Sequence, residues 1–450
     1  MAESSIEDSL VRLQTHPLPV ARDRAVARRA IIAGQTILQT SPLTTALLPA
    51  EKGRRCDHCH ILQSDEIKLA KCSGCASYWY CGSTCQKEAW SKHHRRVCKV
   101  FSRYIATPAY AQLHPHEKMD ALLLSQLAAE YPPSANELSS TLQTFISLLS
   151  HPAPPSHLPV LPLSTTAASH DVLLSLYSRF GNNNFVLHSH LASFAHGIYP
   201  LASRLFNHSC TPNAAVRYSI VREKAVQMDV LALRDILPDE EVCIPYLDPA
   251  LPLEDRTRAL DVSYGFLCAC SLCFFQRQLE ISPTTEHEFA DFVPLLHKFT
   301  GCVLSQPPPR HDSQRDFAVM PKYLHTFFAR DVLPGLSESF SEASHQGSVA
   351  VALSKGHTLL ALYLLVYPPN YPQIGLHALE LAKTAWNGLI THNRSSPEGR
   401  DLVTTVEWYL TVADYVCGVF GSEGDQGGPK AEISLLRRLI KEESAGFLTD

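Results

Sequence analysis

Between residues 56 and 98 the sequence reads CDHCHILQSDEIKLAKCSGCASYWYCGSTCQKEAWSKHHRRVC, which carries seven of the chain's fourteen cysteines. The spacing is paired: Cys56xxCys59, Cys72xxCys75, Cys81xxxCys85 and His94xxxCys98. Gaps of two or three residues let both members of a pair reach one tetrahedral ion at roughly 2.3 Å, and four pairs complete two sites. The segment from Lys52 to Lys99 is poor in large aliphatics, so metal binding has to supply the folding energy that a core this small cannot. His94 and Cys98 lie four apart, on one face of a helix if one forms here. His94 is therefore preferred as the ligand, with His93 the alternative.

A second cluster, YGFLCACSLC, holds Cys268, Cys270 and Cys273, one ligand short of a tetrahedral zinc. Cys210, in the stretch GIYPLASRLFNHSCTPN, is the expected fourth, and Cys243 the rival. Such a site ties together segments 58 residues apart. Both clusters are expected to be structural, with closed coordination.

This reading needs a reducing compartment, since the same cysteines in a secreted chain would pair as disulfides. The N-terminal sequence MAESSIEDSLVRLQTHPLPV has no basic stretch followed by an apolar one, and no run is expected to approach the roughly 18 apolar residues of a membrane helix. A nuclear or cytoplasmic protein with no membrane contact is expected, and a monomer. A net charge of -5, 45% hydrophobic and 18% charged residues fit a globular chain with no overall attraction to nucleic acid. At 450 residues it exceeds a single core.

Coarse elements follow from periodicity. Residues 31–48, rich in Ile, Thr and Leu, predict two short strands. MDALLLSQLAAEY and LSSTLQTFISLL predict helices, and the proline-rich HPAPPSHLPVLPLSTT an exposed irregular loop. Residues 181–247 predict strands and turns, with VQMDVLALRDI the best strand. From about residue 290 the pattern is helical: VAVALSKGHTLLALYLLV, a PPNYP break, IGLHALELAKTAWNGLI and LVTTVEWYLTVADYVCGVF, with GSEGDQGGPK a flexible loop.

The first cluster, with Tyr80 before Cys81 and the CQKEAW run, resembles a MYND zinc finger. Together with NxF at 183–185, GIYP through NHSCTPN, IPYLD at 244–248, YGF with CxCxxC, and YPPNYPxxG, the chain resembles the SET and MYND domain family of protein-lysine methyltransferases along most of its length. The resemblance implies an α+β fold: a SET-domain β-fold interrupted by the finger, then a cysteine-rich post-SET zinc segment and an all-α C-terminal domain. The expected units are 1–50 (first part of the SET domain), 51–100 (finger), 101–180 (helical insertion), 181–262 (SET core), 263–276 (post-SET segment) and 277–450 (helical domain).

It also implies three zinc ions. In the family the finger's pairs interleave, which assigns Cys56, Cys59, Cys81 and Cys85 to one and Cys72, Cys75, His94 and Cys98 to another; Cys210, Cys268, Cys270 and Cys273 hold the third. S-adenosylmethionine is the implied cofactor, contacted by Asn183, Asn207, His208, Tyr246 and Phe266, with Arg24 near its carboxylate. Tyr246 matches the catalytic tyrosine, and Phe185 and Tyr264 match the walls of the channel for the substrate lysine. Any one of these aromatics alone would read as core filler; their ordered motifs give them a role. For the finger, the implied partners are proline-rich peptides docking on Trp79 and Trp90. Its Lys52, Arg54, Arg55, Lys87, Lys92, Arg95, Arg96 and Lys99 leave DNA or an acidic partner open.

One departure stands out. Where the family has a Gly-x-Gly turn beside the cofactor, this chain reads VARDRAVARRAIIAG, with Arg22, Asp23 and Arg24 and no glycine before Gly34. Two functions therefore stay open: methyl transfer to a lysine of a histone or other protein, and a SET-fold adaptor that recruits partners through the finger without catalysis.

Overall fold

The computed structural model describes residues 9–15, 22–281, 285–310, 312, 315–345, 347–391 and 396–445. The outermost parts of the first and last expected units, residues 1–8 and 446–450, lie outside it, as do residues 16–21. Strands β1 (Val11–Gln14) and β2 (Arg24–Ala27) form an antiparallel ribbon. The two strands expected at 31–48 follow as β3 (Thr36–Thr40) and β4 (Thr44–Leu47).

The cysteine-rich segment begins with a small ribbon, β5 (Ala70–Lys71) and β6 (Trp79–Tyr80). It continues as α1 (Ser83–Ala89), a π-helical turn at Trp90–His94, and α2 (Arg95–Ile105). Short α3 (Pro108–Gln112) leads to α4 (Pro115–Glu130), whose start carries Pro115 in the first turn and a reciprocal cap between His114 and Glu117. Nearly every residue of α4 from Met119 to Ala129 is buried, because the helix is wedged between the finger and β4. Helices α5 (Ser140–Ser147) and α6 (His170–Tyr177) complete this layer, each capped by a serine hydroxyl. The proline-rich loop between them is irregular, as expected, but Leu158, Leu161 and Leu163 are half-buried against the finger's core.

The chain then returns to sheet through α7 (Phe180–Asn183), β7 (Asn184–Ser189) and β8 (Ala192–Ile198). In the GIYPLASRL stretch, expected as strand and turn, Gly197 and Ile198 do end β8, but the rest makes a short helix, α8 (Pro200–Leu205), since Pro200 starts a turn that buries Ala202 and Ser203. Strands β9 (Asn207–His208), β10 (Ala214–Ser219), β11 (Gln227–Ala232) and β12 (Cys243–Ile244) follow.

The pairing explains why the finger is an insertion. β3 joins β11 and β10, and β4 joins β8 and β7, so strands before the finger complete sheets made mostly after it. β9 and β12 pair in parallel, setting Asn207 beside Cys243. The sheets share one core around Ile31, Phe194, Tyr199 and Tyr218, and the finger shares a second with α4 to α6.

Helices α9 (Leu253–Tyr264) and α10 (Ser271–Arg277) flank the second cysteine cluster. The rest of the described chain is helical: α11 (Glu286–Thr300), α12 (Val332–His345), α13 (Val349–Val366), α14 (Pro372–Thr391), α15 (Pro397–Phe420) and α16 (Gly428–Ala445). The expectation that no segment reaches membrane-spanning length is overturned by α13, 18 residues with a mean hydropathy of 1.7. It packs against α11, α12 and α14, and Leu359 to Leu362 are buried there, which accounts for its apolar character.

A second correction concerns GSEGDQGGPK. Residues 421–427 are pinned rather than free: Glu423 accepts from the His188 ring (2.8 Å) and the His190 N–H (3.0 Å), and the Asp425 N–H donates to Ser189 (3.0 Å). Asp425 also takes a two-pronged bond from Arg55 of the finger, at 2.8 and 2.6 Å.

Candidate active site and metal centres

The three expected ligand sets are each assembled: Cys56, Cys59, Cys81 and Cys85; Cys72, Cys75, His94 and Cys98; Cys210, Cys268, Cys270 and Cys273. Within each, all ligand atoms lie within 4.8 Å of one another. Zinc-sulfur bonds of about 2.3 Å in a tetrahedron put neighbouring sulfurs roughly 3.8 Å apart. The observed separations match: 3.5 Å for Cys59 and Cys81, 3.8 Å for Cys72 and Cys98, and 3.9 Å for Cys210 and Cys268. The donor sets therefore fit three zinc ions.

Local backbone decides which side chains converge. In the CSGC knuckle a Cβ at Gly74 would stand 2.8 Å from the Cys98 sulfur, so the glycine keeps the loop tight against its ligand. The π turn ends on His94, whose Nε2 lies 3.4 Å from Cys72 and 3.7 Å from Cys75. His93 turns away to Glu130 at 3.2 Å, which resolves the choice in favour of His94. Cys243 likewise stays out of the third set.

The finger's basic surface is smaller than its sequence suggests. Lys52 bonds Asp57 and lies over the Tyr78 ring, Arg54 pairs with Glu51, and Arg55 is buried against Glu51 and Asp425. Lys87, Lys92, Arg95 and Lys99 remain exposed, beside an exposed Trp90; Arg96 and Trp79 are half-buried.

Next to the third quartet lies a cavity of about 580 Å³, the size of a small-molecule site. Asn183, Phe185, Tyr246 and Tyr264 of the expected residues line it, and sequence reading missed Arg22, Ser203, Phe206, Tyr371 and Gln373. Each lies in a segment with a signal: Arg22 where the glycine turn is missing, Ser203 and Phe206 in GIYPLASRLFNHSCTPN, and Tyr371 and Gln373 at the PPNYP break, which interrupts the helices where they meet the cavity. There Asn370 takes a left-handed conformation (φ 55°) and donates to the Leu233 carbonyl of the sheet domain at 2.8 Å.

Tyr246 lines the cavity, its ring 4.8 Å from that of Tyr264 and 5.3 Å from His208. Its hydroxyl donates to the Phe206 carbonyl (2.7 Å) and accepts from Arg22 (3.2 Å). Burial raises the Tyr246 phenol above its ordinary range despite the opposing Arg22 charge, and pushes Tyr264 up to about 12. Both are phenols, not phenolates, at neutral pH.

His208 links this aromatic corner to the metal site. Its Nδ1 accepts the Tyr246 N–H at 3.0 Å, so the neutral ring carries its proton on Nε2, which points at the Cys210 sulfur 3.2 Å away. Asn207 donates to the Asp23 carbonyl (3.0 Å) and Glu241 (2.9 Å). Phe266 lies 6.1 Å from the His208 ring and 6.2 Å from Tyr264, outside the cavity lining. Asn183 lines the cavity with its amide donating to Leu149, Arg179 and Asn182. Arg24 is placed elsewhere: opposite Gln14 in the β1–β2 ribbon it is exposed, bonds Gln14 at 3.4 Å and does not line the cavity.

Two cavity residues carry buried acceptors with no partner among the described residues, Asn184 Oδ1 and Gln373 Oε1. Orphan acceptors are costly, and they fit a ligand rich in N–H and O–H donors, as both S-adenosylmethionine and a peptide lysine are.

Residues 25–247 match the family model described as the SET domain. N-lysine methyltransferase SMYD2 of Gallus gallus is 29% identical over 308 residues, 63% of this chain and 65% of that protein. SMYD2 of Homo sapiens is 29% identical over 243 residues (50% of this chain, 51% of that protein), and SMYD2-A of Danio rerio 30% over 242 residues (50% and 51%). The chain thus spans from about half to 65% of the length of these relatives.

Proposed function

Because the chain belongs to the SET and MYND domain family, we propose that it transfers a methyl group from S-adenosylmethionine to the lysine side chain of a protein. The observation that carries this reading is the aromatic corner of Tyr246 and Tyr264 on a 580 Å³ cavity, braced through His208 on the third metal quartet.

Bound S-adenosylmethionine would supply an electrophilic methyl group on a sulfonium. Asn183, Asn207, His208 and Phe266 are the residues proposed to hold it. Since the Asn207 amide and both His208 nitrogens are already engaged, they offer backbone groups and a ring face. Phe185, Tyr246 and Tyr264 wall the lysine's path. Their faces strip water from the ammonium, which lowers its pKa toward the neutral nucleophile, and they favour the cationic methylated product. Tyr246, fixed by its bond to the Phe206 carbonyl, orients the amine. In-line displacement needs this positioning more than an acid or base.

The finger is proposed to recruit a protein partner through exposed Trp90, with proline-rich peptides the implied ligand. DNA is the weaker alternative, because Lys52, Arg54 and Arg55 are spent on internal pairs. We place the protein, as a monomer, in the nucleus or cytoplasm, where thiols stay reduced for zinc. The adaptor reading rests on the missing Gly-x-Gly turn.

Calorimetric titration of the zinc-loaded chain with S-adenosylmethionine, beside Asn207→Ala, separates the two. Binding that the substitution weakens, by releasing the Asp23 backbone that the Asn207 amide holds, supports the enzyme. No heat at high micromolar cofactor, with or without a lysine peptide, supports the adaptor.

A further inference from the structure

The segment that replaces the glycine turn does more than lack glycine. Arg22 reaches Tyr246 itself: its Nη1 donates to the Tyr246 hydroxyl at 3.2 Å and its Nη2 to the Ser203 carbonyl at 3.0 Å. All three residues line the same cavity. The backbone behind it is clipped in place. Asp23 accepts from Arg204 at 2.7 Å through its carboxylate and from Asn207 at 3.0 Å through its carbonyl.

Counting donors and acceptors shows what this contact blocks. The Tyr246 hydroxyl spends its proton on the Phe206 carbonyl, so it meets any further polar group only as an acceptor. A lysine ammonium, which is donor-only, needs such acceptors. Arg22, donor-only as well, already holds one of them and the Ser203 carbonyl beside it. Two cations repel at this range, so they exclude each other. Among the described residues Arg22 forms no salt bridge, and its side chain is exposed. A guanidinium held by two neutral oxygens and open to water is readily displaced.

Resting on the methyltransferase reading for the identity of the cavity, we propose that Arg22 is an internal stand-in for the substrate ammonium. It caps Tyr246 and Ser203 in the free protein, and a lysine enters by displacing it. The residue thereby sets the threshold a substrate must pass, favouring peptides whose flanking residues add binding of their own.

The test uses n-butylammonium, the lysine side chain without its backbone, titrated into the full zinc-loaded protein and followed by saturation-transfer NMR. Arg22→Ala and Arg22→Gln should each bind it about tenfold more tightly than the parent, the worth of one or two released hydrogen bonds. Low millimolar guanidinium should reverse the gain in Arg22→Ala, which a loosened loop would not do. Equal affinity in all three proteins, or weaker binding in the variants, overturns the proposal. A parallel titration with S-adenosylmethionine separates the two readings. Cofactor binding with unchanged butylammonium affinity refutes the role of Arg22 alone. Tightened butylammonium with no cofactor binding in any protein refutes the methyltransferase reading and leaves the capping contact standing.

Discussion

Asp120, on α4 beside the cavity, gives a pH dependence that can be worked out from its surroundings. Burial pushes its carboxyl from the ordinary 3.8 up to about 7, Glu117 adds to the rise, and the hydrogen bond from Asn184 opposes it. The folded pKa lies above the unfolded one, so the stabilising contribution is complete below about pH 4. It is lost as pH rises toward 7, because the unfolded chain ionises there first. At 1.36 kcal/mol per pH unit the loss approaches roughly 4 kcal/mol, and half-burial of the residue reduces this to about 2. Asp120→Asn keeps an acceptor for Asn184 and removes the ionisation. Its melting temperature relative to the parent should therefore climb between pH 5.5 and 8.5, a window that keeps zinc bound. The climb should be about 1 °C, given roughly 1 kcal/mol over that part of the range in a chain of 450 residues. Scanning fluorimetry of both proteins across the window measures it. A constant difference, or one that shrinks with pH, would refute the assignment of a raised pKa to Asp120.

The remaining predictions concern the metal sites, the tyrosine and the interdomain contact. Cys210→Ser should release about one zinc of three and expose residues 268–273 to protease; metal analysis that still finds three ions sinks the shared site. His94→Ala should lose finger zinc, whereas His93→Ala should keep it, since His93 faces Glu130 and not the sulfurs. Tyr246→Phe should slow methyl transfer about a hundredfold with zinc content unchanged, and unaltered rates would remove the hydroxyl from the mechanism. Arg55→Ala strands Asp425 without its fork and should destabilise by about 3 kcal/mol; the 421–427 loop should then be cut faster by protease, and equal cleavage rates would contradict the pinning.

What was legible early follows from which signals are local. Cysteine spacing, the Asn-His-Ser-Cys run and the helical periods after residue 290 are short-range patterns, and each appears in the fold. The misreadings came where local and distant forces compete. GIYPLASRL has strand-like composition, yet Pro200 and the burial of Ala202 turn all after Tyr199 into helix. GSEGDQGGPK has the composition of a flexible loop, yet His188, His190 and Arg55 hold its two carboxylates. Arg24 and Arg22 are indistinguishable in sequence; strand alternation turns Arg24 outward onto Gln14, and the clip at Asp23 leaves Arg22 facing Tyr246.

The sequence by itself determined the ligand types and their pairing distances, because a tetrahedral ion accepts few spacings, and it determined the α+β organisation through the change from sheet-like to helical periods. Only the tertiary structure decided which histidine turns toward the sulfurs, which cations of the finger are already neutralised, and which arginine caps the tyrosine. Those choices depend on partners 37 to several hundred residues away, such as Glu130 for His93, Asp425 for Arg55 and Tyr246 for Arg22, and no local pattern encodes a contact that chain topology alone brings together.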